Sequence, residues 1–141
     1  MGKETFVIDA NIFLELLLEQ ERANECGALL NLLEEGKIHG AVTAFSLYGT
    51  EIILESRNSR HKIIRFLDLC AQSEAIEILY TNPNEEQEIF RIAEKIGLDI
   101  DDAHQYWAAK KLNARFVSFD KDFDQTDLKR YEPDEILKEL V

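Results

Sequence analysis

Thr5-Phe6-Val7-Ile8-Asp9-Ala10-Asn11-Ile12-Phe13-Leu14 is the stretch whose reading decides the fold. Thr5 to Ile8 is a short β-branched and aromatic run, which reads as a buried strand. Asp9 and Asn11 interrupt it, and a Leu-rich helical pattern from Ile12 to Leu18 follows at once. The carboxyl end of a strand in an open α/β sheet is where ligands and catalysis gather. A carboxylate placed there between two apolar segments is read as the first ligand of a metal site. The plain alternative is a helix N-cap, with Asn11 bonding only backbone.

Outward from this stretch, strand and helix signals alternate. The apolar set Ala23 to Leu33 has helical period, with Gly36 where a C-cap belongs, and Ile38 to Val42 is a second strand. Thr43 can cap a helix from Ala44 to Ser56. A basic segment, Arg57-Asn58-Ser59-Arg60-His61-Lys62, leads to a helix over Ile63 to Cys70. Ala75 to Tyr80 reads as a third strand, and Asn82-Pro83-Asn84 starts a helix that ends at Gly97. Asp99-Ile100-Asp101-Asp102 opens the next helix, Arg115 to Phe119 is a fourth strand, and Pro133 to Leu140 is a terminal helix. This alternation predicts a central, mostly parallel sheet of four or five strands with helices on both faces, as one domain over 1–141.

At 141 residues, 45% apolar and 31% charged, the chain is long enough to bury a proper core and is not disordered. No apolar run approaches membrane-spanning length and the N-terminus lacks signal-peptide features, so a cytoplasmic location without membrane contact is expected. Cys26 and Cys70 sit inside apolar helical patterns and read as buried free thiols. The net charge of −12 excludes long-range steering as the main route to a nucleic acid. Either the acids concentrate at a metal site, or the substrate is not a nucleic acid; a basic partner protein suits both.

Four carboxylates lie at element ends or on apolar faces: Asp9, Glu51, Asp102 and Asp120, the last followed by Asp122 and Asp124. Asp9 and Asp120 emerge at one sheet edge if their strands are adjacent, and a helix start brings Asp102 to that edge. Two such charges 5 Å apart repel by roughly 3 kcal/mol at an effective dielectric of 20, so a cluster calls for protons or a cation. Hard oxygen donors without clustered His or Cys point to Mg²⁺ or Mn²⁺. Each acid also has a bland reading. Asp102 with Asp101 suits a helix dipole, Asp120, Asp122 and Asp124 suit a solvated turn, and Glu51 suits a helix surface. His39, His61 and His104 show no ligand spacing and read as structural or exposed.

The set Val7-Ile8-Asp9-Ala10-Asn11-Ile12-Phe13-Leu14, Glu51, Asp102-Ala103 and Val117-Ser118-Phe119-Asp120-Lys121-Asp122-Phe123 resembles the PIN-domain family, above all its small VapC-type toxin branch. The resemblance implies a PIN-like three-layer α/β/α sandwich over residues 1–141. It further implies a Mg²⁺- or Mn²⁺-dependent endoribonuclease that hydrolyses RNA phosphodiester bonds as the toxin of a toxin–antitoxin pair. By position, Asp9, Glu51, Asp102 and Asp120 would be the catalytic, metal-binding quartet. Asp122 would be a further metal-site acid, and Asn11 and Ser118 would support the aspartates. A homodimer and an antitoxin partner are implied as well. Arg57, Arg60, Lys62 and Arg65 are the candidates for contact with the RNA backbone, against a solvated-loop alternative. The rival function is a non-catalytic PIN-like interaction module in an RNA-processing or regulatory complex. A small-substrate phosphatase is disfavoured by the missing Gly-rich phosphate loop. Tyr106 and Trp107 are candidates for an interface or base contacts, with core packing expected for at least one.

Overall fold

Thr5–Ile8 forms β1, and its burial explains why the run is continuous rather than alternating. Phe6 and Ile8 face one core and Val7 the other, so the strand has no wet side. The structure, a computed structural model, describes residues 4–140; the expected extent of 1–141 runs past these at both ends. After β1 come α1 (Ala10–Leu17), α2 (Ala23–Glu34), β2 (His39–Thr43), α3 (Ala44–Ser56), α4 (Arg60–Gln72) and β3 (Ile76–Leu79). The chain continues with α5 (Pro83–Ile96), α6 (Ile100–Leu112), β4 (Arg115–Val117), a 3₁₀ turn (Lys121–Gln125), β5 (Arg130–Tyr131) and α7 (Pro133–Leu140).

The five strands run in the order β3-β2-β1-β4-β5, every neighbouring pair parallel. One face of the sheet is covered by α1, α2, α4 and α7, through Phe13, Leu29, Phe66 and Ile136; α3 adds Leu47 and Leu54. The other face is covered by α5 and α6, through Ile89, Trp107 and Ala108. This is the expected three-layer α/β/α sandwich. Gly40 shows how closely the layers approach: a Cβ there would lie 2.8 Å from Ile8 Cδ1 and 3.0 Å from Leu33 Cδ2. Any larger residue would push α2 off β2.

Several boundaries differ from the sequence reading by one to three residues, those of α4 and β4 among them. Helix α4 starts at Arg60 and ends at Gln72, because Ile63, Phe66 and Cys70 mark only its covered stripe. Regular β4 stops at Val117, although Ser118 N still donates to Tyr131 O at 3.0 Å. Cys26 and Cys70 are buried and free, and burial pushes their thiols up to about 12 and about 11. Among the described residues no helix is long and apolar enough to cross a membrane.

Candidate metal centre

The strand order places β2 on one side of β1 and β4 on the other, which makes the β1–β4 seam the topological switch point. Connections leave on opposite sides there, opening a crevice beyond the carboxyl ends of the strands. Asp9 and Ser118-Phe119-Asp120 stand at that crevice, fastened by Asp9 N donating to Val117 O at 3.0 Å.

Asp9 is almost fully buried and is held from three directions. Its Oδ1 accepts from Asn11 N at 3.3 Å and from Gln105 Nε2 at 3.0 Å; its Oδ2 accepts from Ser118 Oγ at 2.6 Å. A carboxylate has about four acceptor directions, so one remains at Oδ2. Ser118 Oγ also accepts from Asp120 N at 2.9 Å, which couples the positions of the two strand-end aspartates. Asp120 caps the 3₁₀ turn, taking the Asp122 N–H at 2.9 Å, while its other oxygen is left to the crevice.

Helix α6 enters the crevice N-terminus first. Asp99 is its N-cap and accepts from Asp102 N at 2.9 Å, so Asp102 is released from capping its own helix. One oxygen each from Asp102, Asp120 and Asp122 lie within 4.8 Å of one another. Burial, reinforced by Asp99, Asp120, Asp101 and Asp9, pushes Asp102 up to about 7. Burial and then Asp9 push Asp101 up to about 6. Burial also raises Asp9, with Asp120 adding to it, against the opposing hydrogen bonds from Ser118, Gln105 and Asn11. Carboxylates facing carboxylates disfavour ionisation in each other. The set is built of hard oxygens, and the buried Asp101 Oδ1 has no hydrogen-bond partner among the described residues. These features fit a divalent hard cation such as Mg²⁺ or Mn²⁺.

Of the residues expected at this site, Asp9, Asp102, Asp120, Asp122, Asn11 and Ser118 are brought together. Glu51 is not. The covered positions of α3 are Ser46, Leu47, Thr50 and Leu54, and Glu51 lines a shallow depression with Ile52, Glu55 and Ile63 on the α4 side. None of the charge interactions that raise Asp9, Asp101 and Asp102 comes from Glu51. The basic segment is also divided. Arg60 makes a bidentate pair with Glu55 at 2.6 and 2.7 Å, and Arg65 lines a separate cavity of about 660 Å³ between α1, α2 and α4. Arg57 alone of the four lines a cleft that also contains Asn11 and Phe119.

Two further residues belong with the cluster. Asp101 had a signal, the tandem Asp101-Asp102; Gln105 had one only through its place one helical turn after Asp101. His104 is structural. Its Nδ1 meets Ile100 O at 2.7 Å, its Nε2 meets Glu86 Oε2 at 2.8 Å, and its ring stacks on Phe45 with centroids 4.7 Å apart. Trp107 is buried in the core and Tyr106 donates to Asp127.

Solved structures with this fold include VapC20 from Mycobacterium tuberculosis, described as a sarcin-ricin loop cleaving toxin. It is 14% identical, with a TM-score of 0.77 over 91% of this chain and 99% of its own. PAE2754 from Pyrobaculum aerophilum is 19% identical, with a TM-score of 0.67 over 99% of this chain and 98% of its own. VapBC2 from Rickettsia felis, solved on a DNA fragment from its promoter, is 17% identical, with a TM-score of 0.65 over 91% and 98%. No curated protein matches the chain by sequence. The family model for the PIN domain matches residues 6–129. With that match spanning β1 to the residue before β5, the chain belongs to the PIN-domain family.

Proposed function

We propose that this protein is a metal-dependent endoribonuclease and the toxin of a toxin–antitoxin pair. The observation that carries the reading is the convergence of Asp102, Asp120 and Asp122 at the β1–β4 switch point, beside a buried Asp9, with no cationic side chain among them. The fold shared with VapC20 and the VapBC2 complex supports it.

Asp102, Asp120 and Asp122 would hold Mg²⁺ or Mn²⁺, with Asp9 contributing through the open direction of Oδ2. When bound, the cation supplies Lewis acidity toward a phosphodiester and lowers the pKa of water for hydrolysis. Ser118 and Gln105 keep Asp9 in one rotamer, and Ser118 sets the distance between Asp9 and Asp120. The Asp101 Oδ1 atom is left as an acceptor that can orient a water at the cluster edge. Arg57 offers a cation to the phosphate backbone; Arg60, Lys62 and Arg65 are weaker candidates because Arg60 is already paired and Arg65 lines another cavity.

An antitoxin would restrain the enzyme in the cytoplasm, as the neighbouring toxin–antitoxin complexes suggest for this fold. A homodimer is supported by Tyr48 and Ile52, which project from α3 with 51% and 69% of their surface exposed. The net charge of −12 favours the rival reading, an interaction module without catalysis. The test is end-labelled RNA incubated with the purified protein, with and without Mn²⁺. Metal-dependent internal cuts, absent with Asp9→Asn, are expected. Equal cutting by the two proteins removes the mechanism, and no cutting at any metal concentration selects the interaction module.

A further inference from the structure

Residues 118–124 carry two of the clustered acids, Asp120 and Asp122, on a stretch that begins where β4 ends at Val117. A single turn of 3₁₀ helix, Lys121–Gln125, orders it from within. Such a turn is held by poorer hydrogen bonds than an α-helix, and Asp120, Asp122 and Asp124 repel one another along it. Its geometry must therefore be imposed from outside. Two restraints come from the core side. Ser118 N donates to Tyr131 O at 3.0 Å, and the buried Phe123 ring packs on Phe116 with centroids 4.5 Å apart.

Arg130 supplies a third restraint, and this one spans the segment. From β5 its Nη1 donates to Ser118 O at 3.2 Å, while Nε and Nη2 donate to Asp124 Oδ1 and Oδ2 at 3.0 and 3.1 Å. The side chain is 11% exposed, and Nη1 also donates to Glu132 Oε2 at 2.7 Å, which fixes the guanidinium. We infer that Arg130 is a positioning residue of the metal centre, bracing residues 118–124 at both ends and so setting the separation of Asp120 and Asp122. The inference rests on the metal-centre reading above. It adds a residue that makes no hydrogen bond to Asp9, Asp102, Asp120 or Asp122 among the described residues.

The brace also reaches Asp9. Ser118 Oγ donates to Asp9 Oδ2 and accepts from Asp120 N, so the residue that Arg130 holds is the one that joins both strand-end aspartates. Glu132 extends the brace to Phe119: its Oε1 accepts from Arg22 at 2.8 Å, and the Arg22 guanidinium lies over the Phe119 ring at 4.3 Å. A guanidinium presents fixed donors, two for a carboxylate and one for a carbonyl. An ammonium is a point charge that serves only one of them well. Charge and bracing predict opposite signs. A cation near the cluster opposes a second cation, so an Arg130 acting by charge alone would tighten Mn²⁺ binding when removed. Loss of the brace loosens two ligands and weakens it.

The test is calorimetric titration of the full chain with Mn²⁺, without RNA, on Arg130→Met, Arg130→Lys and Arg115→Met. Arg130→Met is expected to bind Mn²⁺ about tenfold or more weakly, the scale of a lost outer partner of a metal ligand. Arg130→Lys keeps the charge and should remain weakened. Arg115→Met breaks the pairs with Glu4 and Glu139 at the amino ends, and should lower the thermal midpoint with Mn²⁺ affinity unchanged. Hydrogen exchange in EDTA reads the brace without metal. The Asp120 and Asp122 amides, which donate to Ser118 Oγ and Asp120 Oδ1, should exchange faster in Arg130→Met and stay protected in Arg115→Met. Tighter Mn²⁺ binding by Arg130→Met, wild-type affinity in Arg130→Lys, an equal loss in Arg115→Met, or unchanged exchange at those two amides overturns the inference. If Arg130→Met weakens Mn²⁺ binding but the wild type cuts no RNA, the brace stands and the nuclease reading falls. If the wild type cuts RNA and Arg130→Met binds Mn²⁺ as the wild type does, the nuclease reading stands and the brace falls.

Discussion

The two ends of the β1–β4 pair treat acidic residues in opposite ways. At the amino ends, Arg115 pairs with Glu4 just before β1 and, at 2.8 Å, with Glu139 of α7. Arg115 holds the Glu139 carboxyl below its usual range. Beside β5, Arg130 bridges Asp124 at 3.0 Å and Glu132 at 2.7 Å, and both acids are likewise lowered. At the carboxyl ends of the same two strands, Asp9, Asp101, Asp102 and Asp120 face one another with no arginine or lysine among them. Three of the four are raised, first of all by burial. A chain with only 16 basic residues against 28 acidic ones places several of them where acids are merely structural. The difference marks one carboxylate group as unfinished without an outside cation, and the other as complete.

The largest expected break in this symmetry is catalytic. Removal of an outer-shell partner of a metal ligand already costs about 10–100-fold, so Asp120→Asn should reduce Mn²⁺-dependent RNA cleavage by more than about 100-fold. The same substitution should raise the thermal midpoint of the metal-free protein, because it removes a repelling charge. Glu139→Gln at the other end should do the reverse, lowering the midpoint and leaving cleavage intact. Scanning calorimetry in EDTA, paired with the cleavage assay, reads both. A lowered midpoint in Asp120→Asn would mean that the cluster is already neutralised by other means.

The pH dependence should also have opposite signs at the two ends. A raised folded-state pKa means that the folded chain holds its proton more tightly than the unfolded chain. For Asp102, near 7 instead of 3.8, and Asp101, near 6, stability is therefore greatest below pH 4 and falls as pH rises from about 4 to 7. For the arginine-bound acids, whose pKa values are lowered, stability is present above the ordinary carboxylate range and is lost in acid. Urea unfolding in EDTA should thus show a loss from pH 5 to pH 8, with the cluster contributing on the order of 3 kcal/mol after solvent screening. Saturating Mn²⁺ should stabilise the protein far more at pH 8 than at pH 5 and flatten the profile. A flat profile in EDTA would show that the cluster carries no net repulsion.

The parts of this site that the sequence revealed are those set by strand ends. Asp9 follows a continuous apolar run and Asp120 follows Phe116-Val117-Ser118-Phe119, so both are legible as strand-end acids even though regular β4 stops at Val117. Helix phase was harder to read. In α3 the covered stripe is Ser46, Leu47, Thr50 and Leu54, with polar residues at two of its four positions, while Ile52 and Ile53 are exposed. Hydrophobicity therefore left the phase of α3 open, and Glu51, readable as a site acid or as a surface residue, lines a depression with Ile63 of α4. In α6 the small and polar residues Ala103, His104, Gln105 and Ala108 are all covered, so no polarity contrast marked Gln105 as a site residue. The buried contacts that select these faces are long-range; Gln105 and Asp9 are 96 residues apart.

Gln105 gives the next smaller effect. It is fully buried, its Nε2 holds Asp9 and its Oε1 has no partner among the described residues, so its measurable role is to orient that carboxylate. Gln105→Leu keeps most of the volume and removes the donor. It should weaken Mn²⁺ binding, read by calorimetry, by about 10–100-fold with the fold intact. Gln105→Glu should weaken the metal-free protein as well, because it adds another charge to the repelling group. Calorimetry that finds wild-type Mn²⁺ affinity in a folded Gln105→Leu protein would reduce Gln105 to core filling.

The smallest effect belongs to Glu51, and it tests where the cation-dependent group ends. Glu51 shares its depression with Glu55, which the Arg60 guanidinium holds below its ordinary range. It therefore sits beside the arginine-satisfied acids, away from the strand-end cluster. Glu51→Gln removes one charge from a half-exposed helix face and should change cleavage by less than about threefold, within the usual ±0.5 kcal/mol of a surface substitution. The metal-free midpoint should also stay near wild type, unlike that of Asp120→Asn. A loss of cleavage as large as that of Asp120→Asn would instead assign Glu51 to the strand-end cluster, reached from the edge of the covered stripe beside Leu47, one helical turn before it.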